Sequence, residues 1–418
     1  MDKSTQYKIF NDPIHGFITV PKGTILNLID HPYIQRMRHI KQMGLGYLIF
    51  PSAEHSRFTH AIGAMELGQR TLNNLREKDT TISDAEYEAT LIAILLHDIG
   101  HGPLSHTLEF NLITDLPHEK ITLAIMKELN KQFNGALDLA IDIFKNDYHK
   151  KPFLHQMVSS QLDLDRLDYL KRDSVFTGVY EGSVGIDRIL KTMRVYNGRM
   201  VIEKKGIYAI ENYILARRLM YMQVYLHKTV ISADLLLKNI FRRVRFLIDD
   251  GKKPEQASPA LNYFLENGAD FSGKIKPDFI KNYIKLDDND IFQSIKCWSS
   301  SDDPILSDLC RRFRARDLYR TTFFDDKPSE AIKESVASKT AQQLSKSELP
   351  ADKISTSFYF NFGESYSEAY RYEEEEIYIL EDENKITEFS KAADTRNIIA
   401  LTQPVVKPYL VHLKEIEV

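Results

Sequence analysis

Imidazole and carboxylate side chains crowd one short segment of this sequence, LLHDIGHGPLSHTLE (residues 95–109). The side chains concerned are those of His97, Asp98, His101 and His106. Imidazole nitrogens and carboxylate oxygens bind divalent cations, and imidazole also transfers protons near neutral pH. The segment is therefore a candidate for metal binding or for general acid–base catalysis, although a lone His-Asp pair is more often a hydrogen-bonded part of a protein core.

The glycines and the proline of this segment indicate where a helix ends. The run ATLIAILL (residues 89–96) is typical of a buried helix, and Gly100, Gly102 and Pro103 stop it soon afterwards. A carboxylate near the C-terminus of a helix is unfavourable, because the helix dipole already makes that end negative. Asp98 therefore predicts a positive charge nearby, which a divalent cation would supply.

Two further segments contain candidate ligands for the same cation: His60 in SRFTHAIGAMELG and Asp165 in SSQLDLDRLDYLKRDS. Tyr169 and Asp173 follow Asp165 at four-residue spacing, so a helix would place these three side chains on one face. Two imidazoles and two carboxylates would leave coordination positions open for water and substrate. That arrangement is the requirement for metal-assisted hydrolysis.

Composition limits the class of protein. The 418 residues are 43% hydrophobic and 27% charged, which is typical of a globular protein with one large domain or two to three smaller ones. The net charge of -4 gives no overall basic surface, so nucleic-acid binding is not predicted. Cys297 and Cys310 form neither a disulfide framework nor a ligand cluster. No signal peptide pattern and no apolar run of about 20 residues is found, so we expect a cytoplasmic protein without a membrane segment.

Helical periodicity dominates the sequence up to about residue 325. Apolar residues recur at helical spacing in the segments 24–41, 60–76, 85–99, 118–132, 135–145, 156–173, 207–226 and 229–248. Asn197-Gly198 in RVYNGRMVIEKKG predicts a β-hairpin. The later segments FYFNF, EEEEIYIL and NIIALTQPVVKPYLVHL are rich in β-forming residues. We therefore predict a mainly α fold, with a multi-helix domain over residues 1–325 and a smaller α+β C-terminal region over residues 326–418.

The order His60, His97-Asp98, Asp165 is similar to the ligand order of the HD-domain metallophosphohydrolase superfamily. Within that superfamily, the surrounding sequence resembles the deoxynucleoside triphosphate triphosphohydrolases. These include the catalytic domain of the vertebrate SAM-and-HD-domain enzyme and bacterial relatives. The segments that carry this likeness are NDPIHGFITV, IQRMRHIKQMGLGYLIFP, HSRFTH, HDIGHGPLSH, PHE and LDLDRLDYLKRD. It covers about residues 8 to 248, and we expect no SAM domain before it. The region after residue 325 has no such match.

This resemblance implies a multi-helix HD domain with a divalent metal ion, which could be Mn, Fe, Zn, Ni, Co or Mg. The implied metal ligands are His60, His97, Asp98 and Asp165. The residues implied to contact phosphate or to move protons are His101, His106, Glu109 and His118. The vertebrate SAM-and-HD-domain enzyme has an aspartate at the position of Glu109.

The resemblance also implies a substrate pocket. The implied phosphate-binding residues are Arg57, Arg166 and Arg217, and either Lys171 or Arg172 is a further available cation. The implied sugar-binding residues are Gln42, Tyr169 and Asp173, with Tyr225 as the ring that excludes a 2′-hydroxyl. Periodicity alone predicts Tyr225 equally well as a core aromatic. Arg166 replaces a lysine of the family, and Leu226 replaces a glutamine near the base, so no base preference is implied.

The predicted reaction is attack of water at the α-phosphorus of a deoxynucleoside triphosphate, releasing a deoxynucleoside and triphosphate. One alternative is another nucleotide phosphohydrolase, acting on a nucleoside monophosphate, a ribonucleoside triphosphate or a cyclic nucleotide. A second alternative is a nucleotide sensor with little turnover, which the intact ligand set disfavours. The family also implies a homo-oligomer, either a dimer or a tetramer. The basic stripe NIFRRVRFLIDDGKK (239–253) fits a nucleotide effector at a subunit contact and a solvated face equally well.

Overall fold

A computed structural model describes residues 7–113, 116–254, 256–267, 275–370, 376–382, 385–393 and 403–418, apart from the side chains of residues 106 and 109–111. The helices up to residue 192 are α1 (Thr24–Ile29), α2 (Pro32–Gln35), α3 (Arg57–Glu77), α4 (Asp84–Leu96), α5 (Ser105–Leu112), α6 (His118–Gln132), α7 (Asp138–Phe144), α8 (Pro152–Val158), α9 (Leu164–Thr177) and α10 (Ile186–Thr192). The later helices are α11 (Ile207–Met220), α12 (Lys228–Asp249), α13 (Pro259–Glu266), α14 (Pro277–Tyr283), α15 (Asp288–Trp298), α16 (Pro304–Arg314), α17 (Glu330–Lys346), α18 (Lys353–Thr356) and α19 (Phe389–Ala392).

The strands of the described residues form three small sheets. The strands are β1 (Tyr7–Asp12), β2 (Gly16–Pro21), β3 (Met193–Tyr196), β4 (Arg199–Glu203), β5 (Arg320–Phe323), β6 (Phe360–Ser367), β7 (Tyr378–Asp382), β8 (Lys385–Glu388) and β9 (Val405–His412). Their orders are β1-β2, β3-β4-β7-β8 and β5-β9-β6. The predicted mainly α class with a small α+β C-terminal region is confirmed. No helix among the described residues is long and apolar enough to cross a membrane.

The predicted hairpin is present as β3 and β4, which pair antiparallel. Asn197 and Gly198 have φ values of +48° and +76°, as a two-residue turn between twisted strands requires. β4 continues in parallel with β7, and β5 pairs with β9. Two of the sheets thus combine strands from both sides of residue 325, and the division of the chain at that residue stays a prediction.

Three of the predicted helices are interrupted within their predicted bounds. The predicted segment 24–41 divides into α1, α2 and a 3-10 turn at Arg36–His39. The predicted segment 156–173 divides into α8 and α9, because Asp163 caps α9 by accepting a hydrogen bond from the Arg166 amide at 2.8 Å. The predicted segment 207–226 leaves α-helical geometry after Met220 and ends in a π-helical turn, Tyr221–Tyr225. Apolar periodicity continues across all three breaks, so it could not locate them.

Helix α4 lies at the centre of the hydrophobic core. Residues 91–96 are all at most 1% exposed, which explains why the helix is apolar on every side. A capping box at Ser83 and Glu86 fixes its start. The helix ends at Leu96, so His97 and Asp98 emerge inside the protein and not at its surface.

Helices α3 and α9 approach each other closely at Gly63. A Cβ atom at this position would lie 2.2 Å from both the Arg172 guanidinium and a carboxylate oxygen of Asp168. Both side chains are fully buried, so neither can move aside into solvent. Glycine at position 63 therefore allows the two helices to meet around a buried ion pair.

We predict that Gly63→Ala lowers the free energy of unfolding by about 2 kcal/mol or more, because the new methyl group displaces the ion pair. Gly68→Ala is the matched control on the same helix, since its Cβ would meet the terminal methyl groups of Ile94, Leu91 and Leu164, the nearest at 2.7 Å, and no charged group. Both variants gain the same helix propensity. Chemical denaturation measures the difference, and equal stability of the two variants would contradict this account.

Candidate active site

Three side chains from separate parts of the chain bring one ligand atom each to a common point. His60 lies on α3, His97 follows α4, and Asp165 lies on α9. The Nε2 atom of His60 is 3.3 Å from Nε2 of His97 and 3.0 Å from Oδ1 of Asp165. The remaining pair, His97 Nε2 and Asp165 Oδ1, is 3.4 Å apart. Ligands held about 2.1 Å from a cation are roughly 3.0–3.4 Å apart, so these residues can hold one divalent metal ion.

The hydrogen bonds of the two imidazoles leave the correct nitrogen atoms for such an ion. Nδ1 of His60 lies 2.8 Å from Oδ2 of Asp168, and Nδ1 of His97 lies 2.6 Å from the Ile94 carbonyl oxygen. Because these partners accept hydrogen bonds, each Nδ1 carries the proton and each Nε2 keeps its lone pair. Two facing lone pairs repel each other unless a cation lies between them. The donor set therefore fits a metal ion.

Asp98, the fourth predicted ligand, lies beside this cluster and also binds Arg57. Its Oδ1 is 3.4 Å from Nε2 of His97, and its Oδ2 is 3.7 Å from Nε2 of His60. Arg57 donates to the same Oδ2 at 2.5 Å. Burial raises the pKa of Asp98, but His97 and Arg57 hold it well below its usual range. The carboxylate is thus charged and oriented toward the cluster, and its direct ligation of metal stays a prediction.

The electrostatic environment of the cluster favours positive charge. Burial lowers the pKa of His60, but Asp165 and Asp168 outweigh it and raise the pKa to about 10. Burial also lowers the pKa of His97, whereas Asp98 and Asp165 raise it to about 9. Burial raises the pKa of Asp165, but His97 and His60 hold it well below its usual range. The same carboxylates that raise the pKa values of His60 and His97 would also stabilise a bound metal cation.

Asp168, which the sequence analysis did not select, orients His60. Arg172 donates to both of its carboxylate oxygens, at 2.8 and 2.9 Å. His15 Nε2 lies 2.6 Å from Oδ1 of Asp168, and Arg172 also donates to Asp12 at 2.8 Å. A buried carboxylate needs such partners, because an unpaired charge in the core is very costly.

This network corrects one prediction and identifies a missed signal. The interpretation of Arg172 as a phosphate-binding cation is wrong, because its side chain is fully buried and bound to Asp168 and Asp12. Asp168 and Arg172 are four residues apart in LDLDRLDYLKRD, the spacing of an ion pair on one helix face. That spacing could have identified the pair from the sequence.

The turn after α4 positions His97 and His101. A Cβ at Gly100 would lie 2.4 Å from the Thr122 amide nitrogen, so only glycine fits there. The Thr122 hydroxyl donates to the His97 carbonyl oxygen and accepts from the Gly100 amide, both at 3.0 Å. Arg36 donates to the His101 carbonyl oxygen at 3.0 Å. These contacts fix the backbone that carries the site.

Two of the predicted catalytic histidines form a stacked pair next to Asp98. The rings of His101 and His118 are 3.8 Å apart and nearly parallel. Nε2 of His101 lies 3.3 Å from Oδ1 of Asp98. Burial and the charge of Arg57 hold the pKa of His101 well below its usual range, so this imidazole is neutral. The side chains of His106 and Glu109 lie outside the described part of the structure, although their backbone belongs to α5, which begins at Ser105.

Two adjoining cavities share Gln42 and Tyr169 in their walls. The polar cavity has a volume of about 420 Å³, and the apolar cavity has a volume of about 310 Å³. The polar cavity is lined by His97, Asp98, Asp165, Arg57, Arg166, His101 and His118. The apolar cavity is lined by Asp173, Tyr225, Tyr221, Leu45, Val224 and Val230. Charged and aromatic compartments placed side by side match the two halves of a nucleotide.

The predicted sugar-binding residues meet at the apolar cavity. The Tyr225 hydroxyl donates to Oδ2 of Asp173 at 2.8 Å, and His55 Nε2 lies 2.7 Å from Oδ1. Burial raises the pKa of Tyr225 well above its usual value, so the hydroxyl remains a donor. Oε1 of Gln42 is buried and has no hydrogen-bond partner among the described residues. His55 was missed, although it stands in the quoted segment HSRFTH.

The predicted phosphate-binding arginines are placed differently from one another. Arg57 and Arg166 line the polar cavity. Arg166 is held by Asp163, the residue that caps α9. Arg217 is outside the lining of both cavities and donates to the Gln161 side chain at 2.9 Å. The structure therefore brings two of the three arginines to the polar cavity.

The arginines of the basic stripe at residues 239–253 make contacts within the chain. Arg243 forms an ion pair with Asp303, with nitrogen–oxygen distances of 2.9 and 2.6 Å. Arg245 donates to the Leu265 carbonyl oxygen at 3.0 Å. These contacts favour a structural role for the stripe over an effector site.

Comparison with known proteins places this site in a described family. Residues 57–173 match the HD domain, and residues 184–253 match the HD associated region. A phosphohydrolase structure from Bacteroides thetaiotaomicron has a TM-score of 0.90 and 40% identity, covering 97% of this chain and 99% of that one. The uncharacterized protein YwfO of Bacillus subtilis is 37% identical over 337 residues, 79% of this chain and 75% of that protein. Human deoxynucleoside triphosphate triphosphohydrolase SAMHD1 is 27% identical over 362 residues, 75% of this chain and 54% of the human protein.

We predict that Asp165→Ala and His97→Ala lose bound metal, because each removes one of the three convergent ligand atoms. Asp168→Asn should weaken metal affinity by about 10- to 100-fold, since Asp168 contacts His60 and not the ligand atoms themselves. His101→Ala, in the same turn as His97, is the contrasting variant and should keep its metal. Elemental analysis of folded proteins, verified by circular dichroism, measures the difference; a full equivalent of metal in Asp165→Ala would refute the assignment.

Proposed function

This chain belongs to the HD-domain superfamily of phosphohydrolases, and we propose that it hydrolyses deoxynucleoside triphosphates to deoxynucleoside and triphosphate. The observation that carries this proposal is the pair of cavities joined at Gln42 and Tyr169. A nucleoside in the apolar cavity would place its 5′ side at the polar cavity, next to His60, His97 and Asp165. The similarity to SAMHD1, a deoxynucleoside triphosphate triphosphohydrolase, supports the same reaction.

The polar cavity supplies groups suited to a triphosphate. Arg57 and Arg166 offer guanidinium groups, which bind phosphate oxygens through paired donors. A divalent cation held by His60, His97 and Asp165 would supply Lewis acidity toward phosphate and lower the pKa of water. The bond that breaks joins the α-phosphorus to the 5′ oxygen of the sugar, and water provides the oxygen that replaces it.

Proton transfer in this reaction is assigned to the stacked histidines. His101 is neutral and lies beside Asp98, so it can accept a proton released by the attacking water. His118 stacks on it and lines the same cavity, where its imidazole can donate to the departing 5′ oxygen. The roles of His106 and Glu109 stay predictions from the family resemblance.

The apolar cavity supplies groups suited to a deoxyribose. Asp173 is held by both Tyr225 and His55, so its oxygens are fixed as acceptors for a sugar hydroxyl. The unpartnered Oε1 of Gln42 is a second buried acceptor at the boundary between the cavities. The Tyr225 ring occupies the wall beside Asp173, where it would exclude a 2′-hydroxyl.

Product analysis tests this function directly. The metal-loaded protein is incubated separately with the four deoxynucleoside and four ribonucleoside triphosphates, and the products are separated by chromatography. The expected products are deoxynucleosides and triphosphate. Release of monophosphate or diphosphate would instead indicate another nucleotide phosphohydrolase. Binding of a nucleotide without turnover would indicate a sensor.

We predict that Tyr225→Ala admits ribonucleotides, raising the ratio of ribonucleotide to deoxyribonucleotide kcat/KM by about 10-fold or more, because space opens beside the sugar. Tyr225→Phe is the matched control, since it keeps the ring and removes only the hydroxyl bound to Asp173. Steady-state kinetics with dGTP and GTP measure both ratios. Equal turnover of GTP and dGTP by the unmodified protein would show that Tyr225 excludes nothing.

A further inference from the structure

A second carboxylate, Asp234 on α12, lines the apolar cavity. It is accompanied by Thr107 of α5, whose hydroxyl donates to Oδ1 of Asp234 at 2.5 Å. Neither residue is part of the polar cavity lining, whereas Gln42 and Tyr169 belong to both. Asp234 and Thr107 therefore lie on the base side of the proposed nucleotide, away from the phosphates.

The environment of Asp234 leaves its hydrogen-bonding capacity incomplete. Among the described residues, Thr107 is the one hydrogen-bond donor to this carboxylate, and no ion pair neutralises it. Burial raises its pKa to about 6 in spite of the Thr107 hydrogen bond, so the group is mostly ionised above pH 7. A carboxylate accepts about four hydrogen bonds, and a buried one is costly without them. The free acceptor capacity of Asp234 is therefore available to a ligand.

The remaining walls of this compartment are shaped for a flat apolar ring. Leu45, Val224 and Val230 supply aliphatic surface, and Gly44 and Gly46 carry no side chains that would narrow the space. Polar specificity in such a compartment depends on the few polar groups it contains. The Asp234 carboxylate is an acceptor, so this end of the cavity selects for donors.

The four DNA bases differ in the donors that they can offer to a carboxylate. Guanine presents two adjacent donors, its N1–H and its 2-amino group, which match the two oxygens of a carboxylate. Adenine and cytosine place an amino group next to a ring nitrogen that accepts, and thymine places its N3–H between two carbonyl oxygens. A carboxylate facing these bases would attract guanine and meet at least one repelling lone pair on each of the others.

We propose, building on the proposed function, that Asp234 and Thr107 form a base-selecting subsite that prefers guanine. The carboxylate accepts hydrogen bonds from N1–H and the 2-amino group, while the Thr107 hydroxyl holds it in position. Binding in a site with an unsatisfied acceptor discriminates strongly against a ligand that lacks the donor. The subsite therefore sets a preference order with dGTP first and dTTP last.

The test compares two ligands that differ by one amino group. Analogues of dGTP and dITP in which a methylene group replaces the 5′ oxygen lack the bond that the proposed reaction breaks, and the dITP analogue differs from the dGTP analogue only in lacking the 2-amino group. Calorimetry with the metal-loaded protein should show about 10- to 100-fold tighter binding of the guanine analogue, the effect of one hydrogen bond to a charged group. This comparison uses the unmodified protein, so it does not depend on the folding of any variant.

A pair of variants assigns the preference to its residue. Asp234→Asn should reduce the ratio of the two affinities to about 3-fold or less. Asp249→Asn makes the same change at an exposed position of the same helix and should keep the original ratio. Equal binding of the two analogues, binding of neither, or an unchanged ratio in Asp234→Asn would overturn the proposal.

These outcomes separate this proposal from the proposed function. Preference for the guanine analogue without hydrolysis of dGTP would refute the reaction and keep the base subsite. Hydrolysis of all four deoxynucleoside triphosphates with equal binding of the two analogues would refute the subsite and keep the reaction.

Discussion

The buried interaction between Asp168 and Arg172 is the constraint on which the site depends. Asp168 accepts hydrogen bonds from Arg172 and also accepts one from Nδ1 of His60. One carboxylate therefore connects the buried ion pair to a candidate metal ligand. Removing either charge would leave the other unpaired in the core, which typically costs about 3–5 kcal/mol. The close contact at Gly63 belongs to the same arrangement, because no larger residue leaves room for the pair.

The site combines a buried helix with side chains of opposite charge that lie close together. Helix α4 is buried in apolar surroundings, and the polar residues that follow it, His97 and Asp98, lie in the interior of the protein. There the acidic side chains favour a cation, while Arg57 offsets part of the negative charge at Asp98. Burial, together with Arg57, lowers the pKa of His101 and keeps it neutral. Arg57 thus acts on both sides of the site, through its contact with Asp98 and through its effect on the pKa of His101. Substrate phosphates would enter a site whose charges are already fixed by protein contacts, so little reorganisation is needed.

The neighbouring compartment is organised by a different kind of contact. Asp173 is held by a tyrosine and a histidine, and Asp234 is held by a threonine. Each of these carboxylates keeps acceptor capacity toward the cavity, in walls that are otherwise aliphatic and aromatic. Recognition of a sugar and a base would therefore rest on a few oriented acceptors, and the volume of the cavity would set which rings fit.

The sequence by itself determined the mainly α class, the hairpin at Asn197-Gly198, the end of a buried helix before Gly100, and three candidate metal ligands that the fold brings together, His60, His97 and Asp165. These features depend on local spacing and on motif order, which a sequence carries directly. Only the tertiary structure decided that Arg172 is bound inside the core, that Arg217 is outside both cavities, and that Asp168 and His15 lie behind His60. It also decided that Asp234 meets Thr107, although 127 positions separate them in the chain. The physical reason is that a charged residue occupies the same position in the sequence pattern whether its side chain faces solvent, a ligand or a buried partner. Tertiary packing determines which of these the side chain contacts.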